Sequence, residues 1–344
     1  CTLGNGYFAT RGAAAESAAD AVHYPGTYIA GCYARLPSVI VGRALEHEDL
    51  VNAPNWLPTT FRRPGEPWFS LSDAQVLSYR QELDLRRGIL LRDLQVRDRA
   101  GRTTRVESRR LVSMASPHLA ALETIVTPID WSGPLEIRAG LDGSVVNDLV
   151  ARYRQLAKDH LAPMVTTPVG RDGLFLKVRT HQSEVVIAQA ARCRIEVDGR
   201  PVDDPGRVTE EPRYIARDIV VEASAGRPVR IGKTVALYTS RDHAISECGL
   251  DASTAIARAG DFDDLLHAHA LAWKHLWAAF DVELEVDDEP VARMAREPLR
   301  RARDLVLRGR EQRRGVVLEH HIIHRLEVGG AVGCGERLAA ITGE

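Results

Sequence analysis

Between residues 76 and 239, apolar and polar positions alternate in short runs separated by Gly, Pro and Asp. Residues 90–96 and 104–111 flank 97–102, where Asp98 and Gly101 mark a hairpin. Residues 119–127 and 135–141 flank 128–134, which holds Asp130 and Gly133, and Asp142-Gly143 marks another turn. Further strand patterns fall at 175–180, 184–190 and 194–197, with Asp198-Gly199 as the next turn, then at 215–222 and 229–237. Short runs of this kind, punctuated at roughly 10–15-residue intervals, predict an antiparallel β-sandwich. No long helix alternates with them, so a doubly wound parallel sheet is not expected. Residues 150–161 interrupt the series as a short helix or ordered loop.

The period then changes. Residues 251–260 read as a helix, with Asp251 as its cap and Gly260 as its stop. In 261–280, Phe262, Leu265, Leu266, His269, Trp273, Leu276, Trp277 and Phe280 recur at period 3.6 as one broad apolar stripe. Two of the five Trp lie on that stripe, so it must pack on something large. Left uncovered it would be an aggregation-prone patch. Residues 282–286 alternate as a short strand and 287–290 read as a linker. Beyond Pro290 the pattern decays into an Arg-rich stretch (293–314) and a Gly-rich one (329–335).

A length of 344 residues allows one large domain or two smaller ones, and 44% hydrophobic and 27% charged residues are ordinary for a soluble globular chain. No run approaches the roughly 18 apolar residues of a membrane span. The net charge of −2 gives no general pull toward nucleic acid or anionic membrane. It hides a split: residues 291–344 carry 11 Arg and 7 acids, so the remainder is more acidic than the mean. Cys1, Cys32, Cys193, Cys248 and Cys334 form no C-x-x-C pair, which argues against a disulfide framework or zinc ribbon and fits a reducing cytosol. The chain starts on Cys1 with no Met and no leader, the expectation being a cut piece of a longer polypeptide.

Several motifs offer chemistry. Gly4-Asn5-Gly6-Tyr7-Phe8-Ala9 has a dinucleotide-like spacing, but no strand precedes it, and a turn is the better reading. Gly232-Lys233-Thr234 has part of a phosphate-loop signature, yet it sits inside a strand pattern, one residue out of register. His320, His321 and His324 could share a helix face as metal ligands, without a carboxylate or third ligand to complete a site. His269, on the apolar stripe, reads as a satisfied core histidine. Glu46, Glu48 and Asp49 form an acidic cluster that could do glycosidase chemistry only if two carboxylates faced each other across a cleft; otherwise they cap or solvate a loop. The loop 52–56, with Tyr28 and Tyr7, has the residue types that bind sugars: aromatic faces for a pyranose and amides for its hydroxyls. The alternative is a rigid loop around a buried Trp.

Together these segments resemble glycoside hydrolase family 65, the maltose, trehalose and kojibiose phosphorylases. The matching runs are LGNGYFATRG (3–12), GTYIAGCY (26–33), LVNAPNWLP (50–58), QELDLRRGIL (81–90), GRTTRVESRR (101–110), VSMASPHLA (112–120), WSG (131–133), LDGSV (141–145) and FDDLLHAHALAWKHLWAAF (262–280). The resemblance implies a mainly β chain. Residues 1–250 would form a large galactose-mutarotase-like antiparallel β-sandwich and 251–290 a helical linker toward an (α/α)6 barrel. Residues 291–344 depart from the family pattern as a divergent Arg-rich tail, expected to be poorly ordered.

In the family the barrel carries a single general-acid carboxylate and a Ser-containing phosphate loop. Neither can be matched here, so no catalytic residue is carried over. Phosphate, as nucleophile, would replace the second carboxylate that a hydrolase needs to activate water. The implied function is the N-terminal portion of a phosphorylase or hydrolase of α-linked glucose disaccharides, without the catalytic barrel and inactive alone. The alternative is a stand-alone carbohydrate-binding or structural module. Tyr28, Asn55 and Trp56 are the expected accessory sugar contacts. No metal or cofactor is expected beyond inorganic phosphate as co-substrate of the whole enzyme. The expected setting is cytoplasmic, with an α-glucoside disaccharide as partner, no nucleic acid or membrane, and possible homo-oligomers.

Overall fold

Among the described residues the chain forms eighteen strands and two α-helices. The structure is a computed structural model that describes residues 1–17, 19–20, 23–148, 155–243 and 245–280. The expectations for 282–290, for the tail and for His320, His321 and His324 lie outside the described residues, as do residues 150–154 of the interruption at 150–161.

The first 62 residues contribute β1 (Thr2–Gly4), β2 (Phe8–Arg11), β3 (Thr27–Ile29), β4 (Tyr33–Ile40), β5 (Arg43–Leu50) and β6 (Thr59–Arg62). Next come β7 (Gln75–Asp84), β8 (Ile89–Arg97), β9 (Thr103–Val112), β10 (Leu119–Pro128) and β11 (Gly133–Asp142). They are followed by β12 (Leu161–Val169), β13 (Gly173–Thr180), β14 (Val186–Val197), β15 (Arg200–Pro201), β16 (Arg207–Glu211), β17 (Tyr214–Ala223) and β18 (Val229–Thr239). Helices α1 (Cys248–Arg258) and α2 (Phe262–Phe280) close the described chain.

A nine-stranded sheet runs β12-β13-β14-β18-β10-β9-β8-β7, with β15 beside β14, and a four-stranded sheet runs β16-β17-β11-β6. Strands β1 to β3 form a small sheet and β4 and β5 a separate ribbon. The two large sheets face each other as a sandwich. Leu94, Val96, Val106 and Val126 of the larger meet Leu135, Ile137, Ile219 and Val221 of the smaller. The other half of the interior packs Leu122, Leu176, Val178 and Val235 against Phe8, Val51, Trp56 and Leu57 from the N-terminal loops.

Alternation of buried and exposed residues fails where helices cover the outer face of the large sheet. In β14 and β18, Ala188, Ala190 and Ala236 receive Cys248, Ala252 and Ile256 of α1. Alanines at these positions let the helix approach closely. This explains one correction to the strand pattern. The expected break between 190 and 194 does not occur, and β14 is a continuous twelve-residue strand. Its Arg192 is buried, donating to the carbonyls of Ile256 and Ala259 at the end of α1 (3.0 and 2.6 Å).

The start of α1 also differs from expectation. Glu247, not Asp251, is the cap: its carboxylate accepts the Leu250 N–H at 2.9 Å, and Asp251 lies in the first turn. Helix α2 begins as expected, in a reciprocal box. The Asp261 side chain accepts the Asp264 N–H (3.0 Å), and the Asp264 side chain accepts the Asp261 N–H (3.1 Å). The dinucleotide-like run at 4–9 is the turn between β1 and β2, with Gly6 at φ +87°.

Candidate functional site

The expected sugar contacts are first of all core residues. The Trp56 ring is 0% exposed and packs in the sandwich interior, so it has no face to offer a pyranose. Asn55 is 4% exposed, its amide oxygen accepts the Leu57 N–H at 3.0 Å, and its backbone bridges Asp142. Tyr28 is half-buried and its hydroxyl donates to that of Tyr24 at 3.3 Å. The structure therefore separates the three: Tyr28 reaches the surface, while burial corrects the expectation for Asn55 and Trp56 toward the rigid-loop reading.

That loop is held by side chains more than 80 positions away. Lys233, on β18, projects into the interior rather than toward a phosphate. Its Nζ donates to the carbonyls of Pro58 (3.0 Å) and Gly140 (2.5 Å), and burial pushes its pKa down to about 7. Gln189 donates to the Pro54 carbonyl at 2.7 Å, and Asn147 accepts the Asn52 N–H at 2.9 Å. Arg110, also fully enclosed, donates to the carbonyls of Arg11 and Ala13 (3.2 and 2.8 Å), and desolvation brings its pKa down to about 9. These interior side chains tie backbone carbonyls of the N-terminal loops and of β11 to the large sheet.

The acidic cluster lies on strand β5, not in a loop. Strand alternation puts Glu46 and Glu48 on one exposed face and Asp49 on the other, so they form no catalytic pair. Asp49 is buried with Oδ2 at 3.3 Å from His47 Nε2 and 3.4 Å from His160 Nε2. Burial is the largest influence on His160 and lowers its pKa. His160 escaped the sequence reading because 111 positions separate it from Asp49. Among the described residues no group of three or more His, Cys, Asp or Glu is arranged to hold a metal ion, and no helix is long and apolar enough to cross a membrane.

The most built region is the seat of α2 on the large sheet. Glu123 is fully buried on β10, between Arg109 (2.7 Å) and Arg230. Both arginines also reach Asp263 in the first turn of α2, at 3.0 and 2.6 Å. Beside this network Phe262 and Leu265 pack on Leu111 and Ala121. His269 is a core histidine as expected, but satisfied at one ring nitrogen only: its Nδ1 accepts the Met114 N–H at 3.0 Å, its buried Nε2 has no hydrogen-bond partner, and desolvation lowers its pKa. Farther along, Trp277 is 7% exposed and its Nε1 donates to the Arg86 carbonyl at 2.8 Å. Trp273 lies over Gly88 at φ +63°, where a Cβ would sit 2.3 Å from the indole nitrogen. The stripe is thus covered by the sheet and by the β7–β8 turn, which corrects the expectation of an exposed patch. A cleft of about 60 Å³ opens beside Glu123, Arg192, Arg230 and Asp261. Ligand pockets run to roughly 300 Å³ or more, so this cleft is too small for a hexose.

The architecture described, a sandwich with a long helix bound to its outer face, has known counterparts. The family model "Glycosyl hydrolase family 65, N-terminal domain" matches residues 1–276. An uncharacterized glycosyl hydrolase of Mycobacterium tuberculosis is 42% identical over 289 residues, which cover 84% of this chain and 22% of that protein. Kojibiose phosphorylase of Thermoanaerobacter brockii is 27% identical over 297 residues, 84% of this chain and 36% of the relative. A solved structure from the human microbiome described as a kojibiose phosphorylase superposes with a TM-score of 0.66 at 16% identity, over 80% of this chain and 35% of that one. That last likeness shows the fold alone. The chain spans little more than a third, or less, of the length of each of these relatives. It belongs to glycosyl hydrolase family 65, whose N-terminal domain it carries over residues 1–276.

Proposed function

We propose that this chain supplies the non-catalytic β-sandwich and linker helix of a family 65 enzyme that cleaves α-linked glucose disaccharides in the cytoplasm. Phosphate would be the co-substrate, attacking the anomeric carbon with inversion while a carboxylate outside this domain protonates the leaving oxygen. One observation carries the reading: the family's N-terminal model spans residues 1–276 and ends within the helix that the sandwich binds. The chemistry of the described residues agrees with a scaffold. The interior polar groups serve backbone carbonyls and helix ends, and Glu46, Glu48 and Asp49 do not face one another.

The test is an assay of the pure chain with kojibiose, trehalose or maltose and inorganic phosphate, following glucose 1-phosphate. The expected result is no turnover, with or without phosphate. Phosphate-dependent release of glucose 1-phosphate, lost on heat denaturation of the chain, would overturn the scaffold assignment.

A further inference from the structure

Strands β4 and β5 form a ribbon that, among the described residues, pairs with no other sheet. Its tip stands clear of the protein: Val39 is 75% and Val41 98% exposed. Its base is fastened. The register sets Ala34 opposite Asp49, Leu36 opposite His47 and Ser38 opposite Leu45, so these six side chains share one face. On that face Ala34, Leu36, Ser38 and Asp49 are buried. The polar groups meet the segment that leads into β12. Ser38 Oγ accepts the Ala157 N–H at 2.7 Å, His47 Nε2 donates to the Ala157 carbonyl at 3.0 Å, and Asp49 Oδ2 lies within 3.4 Å of both His47 and His160.

This clasp suits neutral imidazoles. A carbonyl can only accept, so His47 carries its proton on Nε2, and its Nδ1 is the acceptor that faces Ser38 Oγ at 3.4 Å. A second proton on that ring removes the acceptor for the Ser38 hydroxyl. His160 is enclosed, and desolvation, the largest influence, holds its pKa below the ordinary value; Asp49 and Asp159 pull it up and His47 pushes it down. The other charges nearby are matched: Asp159 with Arg213, Lys158 with Asp148, and Arg35 with Glu48 on the ribbon's outer face. His181 meets His160 through its backbone N–H, which donates to the His160 carbonyl. One carboxylate, Asp49, therefore faces two imidazoles, and a proton on each leaves net positive charge in a largely buried site. Once the ribbon lifts, His160 meets water and takes a proton at the ordinary value of about 6.5. Linkage then favours the lifted form as pH falls below that value, because the lifted form binds more protons. We propose that the β4–β5 ribbon is an acid-released arm, docked on residues 157–160 at neutral pH and freed, with the rest of the sandwich intact, when the histidines at its base take up protons.

The test is hydrogen exchange of the full chain between pH 7.5 and 5, read by mass spectrometry and corrected for the intrinsic pH dependence of exchange. The opening constant for amides at 33–50 should rise by up to about tenfold per pH unit below about 6.5 for each proton taken up. Peptides from β10 and β18 should show no such rise. His160→Gln cannot take up the proton and should remove most of the rise. Asp49→Asn removes the carboxylate that favours the charged rings while the ribbon is docked, and should move release to higher pH. If either variant fails to fold, the wild type still decides: the His160 ring, followed by NMR, should titrate below pH 6.5, in step with opening of the ribbon. Overturning results would be ribbon exchange that stays flat with pH after correction, or that rises only together with the large sheet. An undiminished rise in folded His160→Gln, release at lower pH in Asp49→Asn, or a His160 ring that titrates at or above 6.5 would also overturn it.

Discussion

Replacing Lys233 by Met should change how the stability of this domain depends on pH. A neutral amine has two N–H groups, and Lys233 Nζ has two acceptors, the carbonyls of Pro58 and Gly140. A third proton would point into the interior unpaired, which is why burial lowers the pKa from 10.5 to about 7. The unfolded chain therefore holds a proton between about pH 7 and 10.5 that the folded chain has released. Stability rises with pH wherever the unfolded state binds more protons. The lysine's cost is thus full below pH 7 and gone above 10.5. At pH 7 that cost is about 4 kcal/mol, and by pH 8.5 it falls to about 3 kcal/mol. Methionine fills similar volume, carries no proton and gives up two hydrogen bonds, together about 1–3 kcal/mol. The variant should match or exceed wild type at pH 7 and lose about 1–2 kcal/mol relative to it by pH 8.5. The assay is urea unfolding followed by Trp fluorescence at several pH values. The buried thiols Cys32 and Cys248, each raised to about 11, titrate in both proteins and cancel in the difference; Cys193 interacts with the Lys233 charge, but burial raises it to about 11, above the range compared. A difference between variant and wild type that stays constant from pH 7 to 8.5 would refute the argument.

Other consequences are as direct. Gly88→Ala forces a Cβ into the Trp273 indole at a positive φ, and should cost about 2–4 kcal/mol in urea unfolding; an unchanged midpoint would mean the turn does not press on α2. Glu123→Ala leaves Arg109 and Arg230 without their buried partner and should destabilise by about 3–5 kcal/mol. Asp263→Ala, which removes the exposed end of the same network, should cost far less, and equal losses would contradict the burial argument. Millimolar trehalose, maltose or kojibiose should leave Trp fluorescence and NMR shifts unchanged, because Trp56 is enclosed; a saturable change would restore a sugar site near Tyr28.

Much of the sandwich was legible from residues alone, because β8 to β11, β13, β17 and β18 are long apolar-rich runs, most of them bounded by turns that hold Asp, Gly or Pro. The stripe of α2 was equally plain, since eight residues at helical spacing leave little choice of face. The first 62 residues were not. Strands β1, β2, β3 and β6 are three or four residues long, too short for a period to show. Their shape comes from Lys233, Gln189, Asn147 and Arg110, whose contacts no local pattern encodes. For the same reason the sugar-like composition of 52–56 misled: Asn and Trp are as useful for closing backbone groups and filling a core as for gripping a ligand. In β14, the strand patterns 184–190 and 194–197 left out Arg192, which is buried because the end of α1 supplies carbonyls for it.

The two anchorages of α2 act together as a mechanical joint. Asp263 is clamped by Arg109 and Arg230 at one end, and Trp277 is tied to the Arg86 carbonyl near the other. The two lie 14 positions apart, about 21 Å along the helix. A rod fastened at one point can swivel, whereas a rod fastened at two this far apart cannot. The heading of the polypeptide at residue 280 is thus set by the β-sheet beneath it, like a bracket that aims whatever is mounted on it.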